Sequence, residues 1–272
     1  MSEVPGTRVR DVIRAMERLA PADSAEDWDN PGLQAGDRGW GVDKVGVALD
    51  PLPEVVEQAV NDGVDMLICH HPLIMRPLSS LDLSTPIGKI LEQAIKHRLA
   101  LYCAHTNLDR APGGVNDVLA DRLGLSGREG LTPSTHPEAP RSLGVVGDLP
   151  EATVLGALAR RAREVLGLSG VRIAGDPGLE VRRVAVCGGS GRSLLKDFFR
   201  SGAQAYLTGD TGYHDARTVE AMGLGLVDIG HFGSEVVVVP ALARMLADAL
   251  AADGHEVEVV AMELERDPFA WA

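Results

Sequence analysis

Asp65-Met66-Leu67-Ile68-Cys69-His70-His71-Pro72 is an apolar run that closes on two imidazoles and a proline. The run reads as a strand, and successive side chains on a strand point to opposite faces. His70 and His71 can therefore serve one site only if the strand stops there. Pro72 supplies that stop, because it has no backbone N–H to give to a ladder.

Outward from this run, strand and helix alternate. Lys44–Asp50 reads as a strand, and a helix over 53–62 buries Val55, Val56, Ala59 and Val60, with Gly63 placed to end it. After the histidines come a helix over 86–97 and a strand over 99–103 that runs into Ala104-His105-Thr106-Asn107-Leu108-Asp109. Ahead of them lie a helix over 9–20, stopped by Pro21, and a loop over 27–37. This alternation is the signature of a parallel α/β fold.

A stretch rich in Gly, Pro, Ser and Thr, Gly124 to Ser142, is the best internal boundary. Beyond it we expect strand 143–147, helix 151–166, strand 181–187, helix 192–201, strand 204–208, helix 214–222, strand 224–229, helix 240–253 and an alternating strand from His255 to Leu264. The expected organisation is two α/β domains, 1–125 with 254–272 and 126–253. The halves match in order and spacing. Gly63 falls on Gly202 and His71 on Asp210 at an offset of 139, while His105 falls on His231 and Asp109 on Glu235 at an offset of 126. Each half thus carries a His-x-x-x-acid element after a strand. We read an internal duplication whose two strand-end clusters face a metal site between the domains, although any βαβα order gives some such alignment.

Composition sets the outer limits. Of 272 residues, 45% are hydrophobic and 24% charged, an ordinary globular balance. No apolar run approaches the roughly 20 residues of a membrane span, and the start lacks a signal-peptide core, so a cytoplasmic protein is expected. Cys69, Cys103 and Cys187 all sit in apolar runs and read as buried thiols. A net charge of −13, with no Lys/Arg cluster, argues against nucleic acid as a partner.

The chemistry gathers at strand ends, where sites in open α/β sheets form. Imidazoles and carboxylates there suit first-row transition metals. We select His70, His71, Asp109, His231 and Glu235 as ligands. Three imidazoles and two carboxylates are too many for one open metal and suit two divalent ions (zinc, iron, manganese, cobalt or nickel) bridged by water and a carboxylate. Alternatives stand beside this: the paired histidines could simply hold a loop, and Asp109 and Glu235 could serve helix termini. His105, Asp210 and His214 are candidates for orienting ligands or moving protons. His97, His136 and His255 read as surface or linker. Gly188-Gly189-Ser190-Gly191 reads as a tight strand–helix turn, matching neither the dinucleotide nor the Walker pattern. Ser190, Ser193 and Ser234 show no nucleophile-elbow context.

Six motifs now stand in order: DWDNPGLQAGD from residue 27, ICHHPL from 68, AHTNLDRAPGGVND from 104, TGDTGYHDA from 208, DIGHFGSE from 228 and DPF from 267. Together they resemble the NGG-interacting-factor-three-like family, whose bacterial members are commonly labelled GTP cyclohydrolase 1 type 2 homologues. The resemblance runs from about Val9 to Phe269. It implies two α/β domains, a dinuclear metal centre and a toroidal homohexamer, and it places the family's ligands on His70, His71, Asp109, His231 and Glu235. An extra domain between the halves, found in some members, is too large for this chain. The function expected is metal-dependent hydrolysis of a small molecule by metal-activated water. The rivals are a non-catalytic metal-binding scaffold or regulator, and a nucleotide-binding module using the glycine loop.

Overall fold

Strand and helix alternate along both halves of the chain. The structure, a computed structural model, describes residues 6–133 and 142–270. His136, and residues 134–141 of the expected boundary segment, lie outside the described residues. In chain order the elements are α1 (Val9–Leu19), β1 (Gly32–Ala35), β2 (Lys44–Ala48), α2 (Pro53–Asn61), β3 (Met66–Cys69), α3 (Pro86–Lys96), β4 (Ala100–Cys103), α4 (Thr106–Arg110) and α5 (Val115–Leu123). There follow β5 (Ser126–Gly130), β6 (Val145–Val154), α6 (Leu155–Val165), β7 (Arg172–Ala174), β8 (Glu180–Ser190), α7 (Leu195–Arg200), β9 (Ala205–Gly209) and α8 (Tyr213–Ala221). The last are β10 (Gly225–Asp228), α9 (His231–Glu235), α10 (Val238–Ala252) and β11 (Glu258–Ala261).

The chain divides into two units, residues 1–111 with 239–265 and residues 112–238 with 266–272. Helix α5 thus goes with the second unit, where Leu119 and Leu123 enter its apolar core beside Val145 and Val184.

In the first unit the sheet order is β1-β4-β3-β2-β11, with β2, β3, β4 and β11 parallel and β1 antiparallel at the edge. Strand β3 is buried at all four positions, as a strand covered on both faces must be. Val55, Val56 and Ala59 of α2 pack against Leu67 and Leu101 in one cluster. Gly63 ends that helix in a left-handed turn at φ 69°, and the next amide, on Val64, returns to the Ala59 carbonyl at 2.9 Å. The final strand is shorter than the expected 255–264, and it pairs parallel to β2 from Glu258 opposite Lys44 to Ala261 opposite Val47.

In the second unit the order is β5-β6-β8-β9-β10-β7. Strands β8, β9 and β10 are parallel, and β7 is the antiparallel edge beside β10. Three successive parallel strands with an antiparallel edge beside the last is also the order β2-β3-β4 with β1. Two expectations change here. The helix expected from 151 begins at Leu155, because β6 continues to Val154 and pairs with β8 again after a register shift. The helix expected over 192–201 is a 3-10 turn at 191–194 followed by the shorter α7. No helix among the described residues is long and apolar enough to cross a membrane.

Candidate metal centre

In the first unit β3 stops at Cys69, so His70 and His71 leave the strand together, with their amides still bonded to the Ala48 and Leu49 carbonyls. Their rings lie 4.9 Å apart, and the His105 ring is 5.3 Å from the first and 5.7 Å from the second. One ligand atom from each of these three histidines falls within 4.8 Å of the others. His105 is the N-cap of α4 and Asp109 lies within that helix. The fourth-residue spacing turns Asp109 back towards the cluster, with its Oδ1 3.8 Å from His70 Nε2.

In the second unit His231 and Glu235 are the ends of the short helix α9, and the same spacing brings His231 Nε2 to 3.1 Å from Glu235 Oε2. Glu235 is buried, whereas the His231 side chain is 38% exposed. Asp210 takes a left-handed backbone at φ 54° just after β9 and accepts from His231 Nδ1 at 2.7 Å.

Every one of these imidazoles has its Nδ1 against an oxygen. His70 Nδ1 meets the Ala104 carbonyl at 2.9 Å, His71 Nδ1 meets Asp50 Oδ1 at 2.8 Å and His105 Nδ1 meets Asp29 Oδ1 at 2.8 Å. An oxygen at Nδ1 fixes the proton there and leaves the lone pair on Nε2. In His70 and His231 that lone pair faces a carboxylate oxygen. Two electron-rich atoms so placed need a positive charge between them, either a proton or a metal ion. Ligands bonded at about 2.1 Å stand roughly 3–3.5 Å from each other, so the donor sets fit a metal.

Residues that the sequence reading left out hold this arrangement. Asp50 follows β2, and Glu265 grips it there by accepting from the Leu49 and Asp50 amides at 2.7 and 2.6 Å. Burial pushes the Glu265 carboxyl up, while those two amides pull it back in part. Asp29 lies in the loop before β1. Burial alone would raise its pKa, but hydrogen bonds from His105 and from the Thr106 hydroxyl and amide outweigh that and hold it at about 2. A depressed carboxylate stabilises the fold above its ordinary pKa of 3.8, and the gain disappears as pH falls from there towards 2. Asp29→Asn should therefore lower stability by about 1–3 kcal/mol at neutral pH and lose less than the wild type between pH 4 and 2. Thermal unfolding against pH checks this; coincident acid limbs would contradict it.

Strand β8 slips register against β9 between Val186 and Ser190. That bulge carries Gly188 and Gly189 past α9, held by the Ser234 hydroxyl, which accepts from the Gly189 amide at 2.8 Å, and by Asn116 Oδ1, which accepts from the Gly188 amide at 2.9 Å. Ser234 is thus fully buried in a supporting role. The three cysteines are free and buried, and burial pushes the Cys69 and Cys103 thiols up, so neither is a nucleophile at neutral pH. His214 is exposed on α8 against the Tyr213 ring, and the donor groups brought together among the described residues do not include it. His97 caps α3, and His255 bonds Thr7.

The family model for Duf34/NIF3 (NGG1p interacting factor 3) matches residues 7–268. The chain belongs to that family. A relative of this Duf34/NIF3 protein in Streptomyces coelicolor, named GTP cyclohydrolase 1 type 2 homolog, is 38% identical over 96% of this chain and 93% of its own. One of the same name in Clostridium perfringens is 33% identical over 96% and 98%. Among solved structures, a Bacillus cereus protein related to NIF3 superposes with a TM-score of 0.91 at 27% identity, covering 98% of this chain and 99% of the other. The mixed α/β architecture with two sheets is therefore that of the Duf34/NIF3 family.

Proposed function

We propose that this protein binds two divalent metal ions through His70, His71, Asp109, His231 and Glu235 and uses them to hydrolyse a small molecule. The observation that carries the reading is the uniform setting of the imidazoles. His70, His71, His105 and His231 each meet an oxygen at Nδ1, so each offers Nε2. A loop-holding histidine has no need of that. When bound, the two ions would supply a water acidic enough to attack at neutral pH and would polarise the bond under attack. The chain's own part is to orient and to exclude. Asp50 and Asp210 keep the His71 and His231 rings aimed, Asp29 does the same for His105, and burial keeps bulk water from His70 and from Glu235, each within its own unit. His105 is the proton carrier in this reading, since its ring lies beside those of both His70 and His71. The His231 side chain, 38% exposed, is open to a substrate arriving from solvent.

The family resemblance supports a homohexamer, which light scattering should report as six chains of 28.8 kDa. Three buried free thiols are in keeping with a reducing cytoplasm. The relatives' name puts GTP first on the panel of substrates. Metal-loaded protein is to be assayed with GTP, phosphate esters and cyclic amides. Turnover of one class that requires metal is the expected result. Absence of turnover on all of them, with the metals confirmed present, overturns the enzyme and leaves a metal-binding scaffold.

A further inference from the structure

The second unit contains a cavity of about 780 Å³ that reaches His231. That volume is within the range of small-molecule sites. Its walls are largely apolar and include Leu166, Leu168, Ile229 and Val236 together with Arg266–Phe269. Gly230 and Gly233 line it. Gly230 turns at φ 74°, and a Cβ on Gly233 would collide with the end of the Leu168 side chain.

The charged groups around the cavity are unequal. Asp228 is paired with Arg172 and also accepts from the Thr211 hydroxyl at 2.6 Å and the Gly230 amide at 3.0 Å. Asp210 holds His231, and Asp267 accepts from the Phe269 amide at 2.9 Å. Arg266, an exposed side chain, lines the same cavity, and among the described residues neither it nor the adjacent Asp267 stands in an ion pair. Phe269 is 83% exposed at the rim, an unusual position for a phenyl ring that has an apolar cavity beside it. An exposed aromatic ring, a guanidinium outside any ion pair and an apolar cavity suit one kind of occupant, a planar apolar group carrying an anionic substituent.

We infer that this cavity binds an aromatic or similarly flat apolar anion, with its flat body in the cavity against Phe269 and its anionic group on Arg266. This deepens the hydrolase reading and rests on it for one point only, that His231 beside the cavity holds metal. On that reading the cavity selects the substrate and presents it to the centre.

The probe is 8-anilinonaphthalene-1-sulfonate, an aromatic monoanion, with N-phenyl-1-naphthylamine as the same body without the charge. Both are titrated by fluorescence into the full chain, metal-loaded and metal-stripped. We expect one saturable sulfonate site per chain in both forms. Arg266→Gln should weaken the sulfonate at least tenfold and leave the neutral amine unchanged. Phe269→Ala should weaken both, and Ser169→Trp, which fills the cavity from an exposed loop position, should abolish both. Circular dichroism and metal content accompany every variant. Saturable binding that ignores Arg266→Gln and Ser169→Trp overturns the inference, as does no saturable binding at all. A fall in metal content in Arg266→Gln overturns it too, because the arginine would then act on the centre. Binding that follows the variants in a protein unable to hold metal keeps the cavity and removes the hydrolase.

Discussion

Alanine at His70, or at Glu235, is expected to take the chain from about two bound divalent ions to fewer than one. The informative comparison is the double variant. The two residues belong to different units of the chain. If each served a separate mononuclear site, the losses would add, and the double variant would be empty while each single variant kept its other ion. If both serve one dinuclear centre, each single variant already loses most of both ions, since a shared bridging group binds neither well alone. The double variant then adds little. Elemental analysis after gel filtration reads this directly. Folding must be watched, because His70 is only 1% exposed and its removal leaves a gap. Glu235→Gln keeps volume and one oxygen and serves as the control for that loss. Thermal unfolding gives a second readout. An ion present at 100 times its Kd adds about 2.7 kcal/mol to the folded state, so a chelator should lower the wild-type midpoint by several degrees and leave the depleted variants unmoved. Additive metal losses would refute the shared centre.

Much of this was open to a reader of the sequence, for reasons that can be named. The parallel strands β2, β3, β4, β9 and β10 are almost wholly buried, as is β8 from Val184 to Cys187, so they appear as apolar runs. The His-x-x-x-acid element after a strand stood out in each half, and the structure sets the two on the short helices α4 and α9. What escaped was the periphery. Edge strands β1, β5 and β7 bury no position fully, and Gly32-Leu33-Gln34-Ala35 carries no alternation to betray it. The supporting carboxylates escaped for a different reason. Asp29 is separated by 76 positions from the His105 it orients, and Glu265 by 215 from the Asp50 amide it accepts from. Pairing across such distances follows from the sheet order, which no local pattern encodes. Asp50 was nearer to hand. It stands at the carboxyl end of β2, the place in an α/β sheet that pointed to His70, and the same rule applied one strand earlier would have found it.

Gly189→Ala should disable the second donor set without touching a donor. Gly189 has φ 59°, and a methyl group there would overlap Glu235 Oε1 and come within 3.3 Å of His231 Nε2. Neither side can yield cheaply. Glu235 is buried on α9, and the bulge is pinned by the Ser234 hydroxyl at the Gly189 amide and by the Thr208 hydroxyl, which donates to the Gly189 carbonyl at 3.2 Å. The methyl group must therefore push the carboxylate off its position or force the bulge out of the sheet, and the left-handed backbone adds about 1 kcal/mol for a residue with a Cβ. Displacing a metal-binding oxygen by about 1 Å is enough to lose it, because metal–oxygen bonds of about 2.0–2.2 Å tolerate little error. The expected outcome is a folded protein whose metal content matches that of Glu235→Ala. Gly167, left-handed at φ 68° with open space around it, supplies the comparison. Gly167→Ala carries the same kind of backbone strain and should keep its metal. Equal metal content in the two alanine variants would show that the glycine bulge has no bearing on the centre, whereas loss confined to position 189 would show that the bulge exists to leave room for the acid.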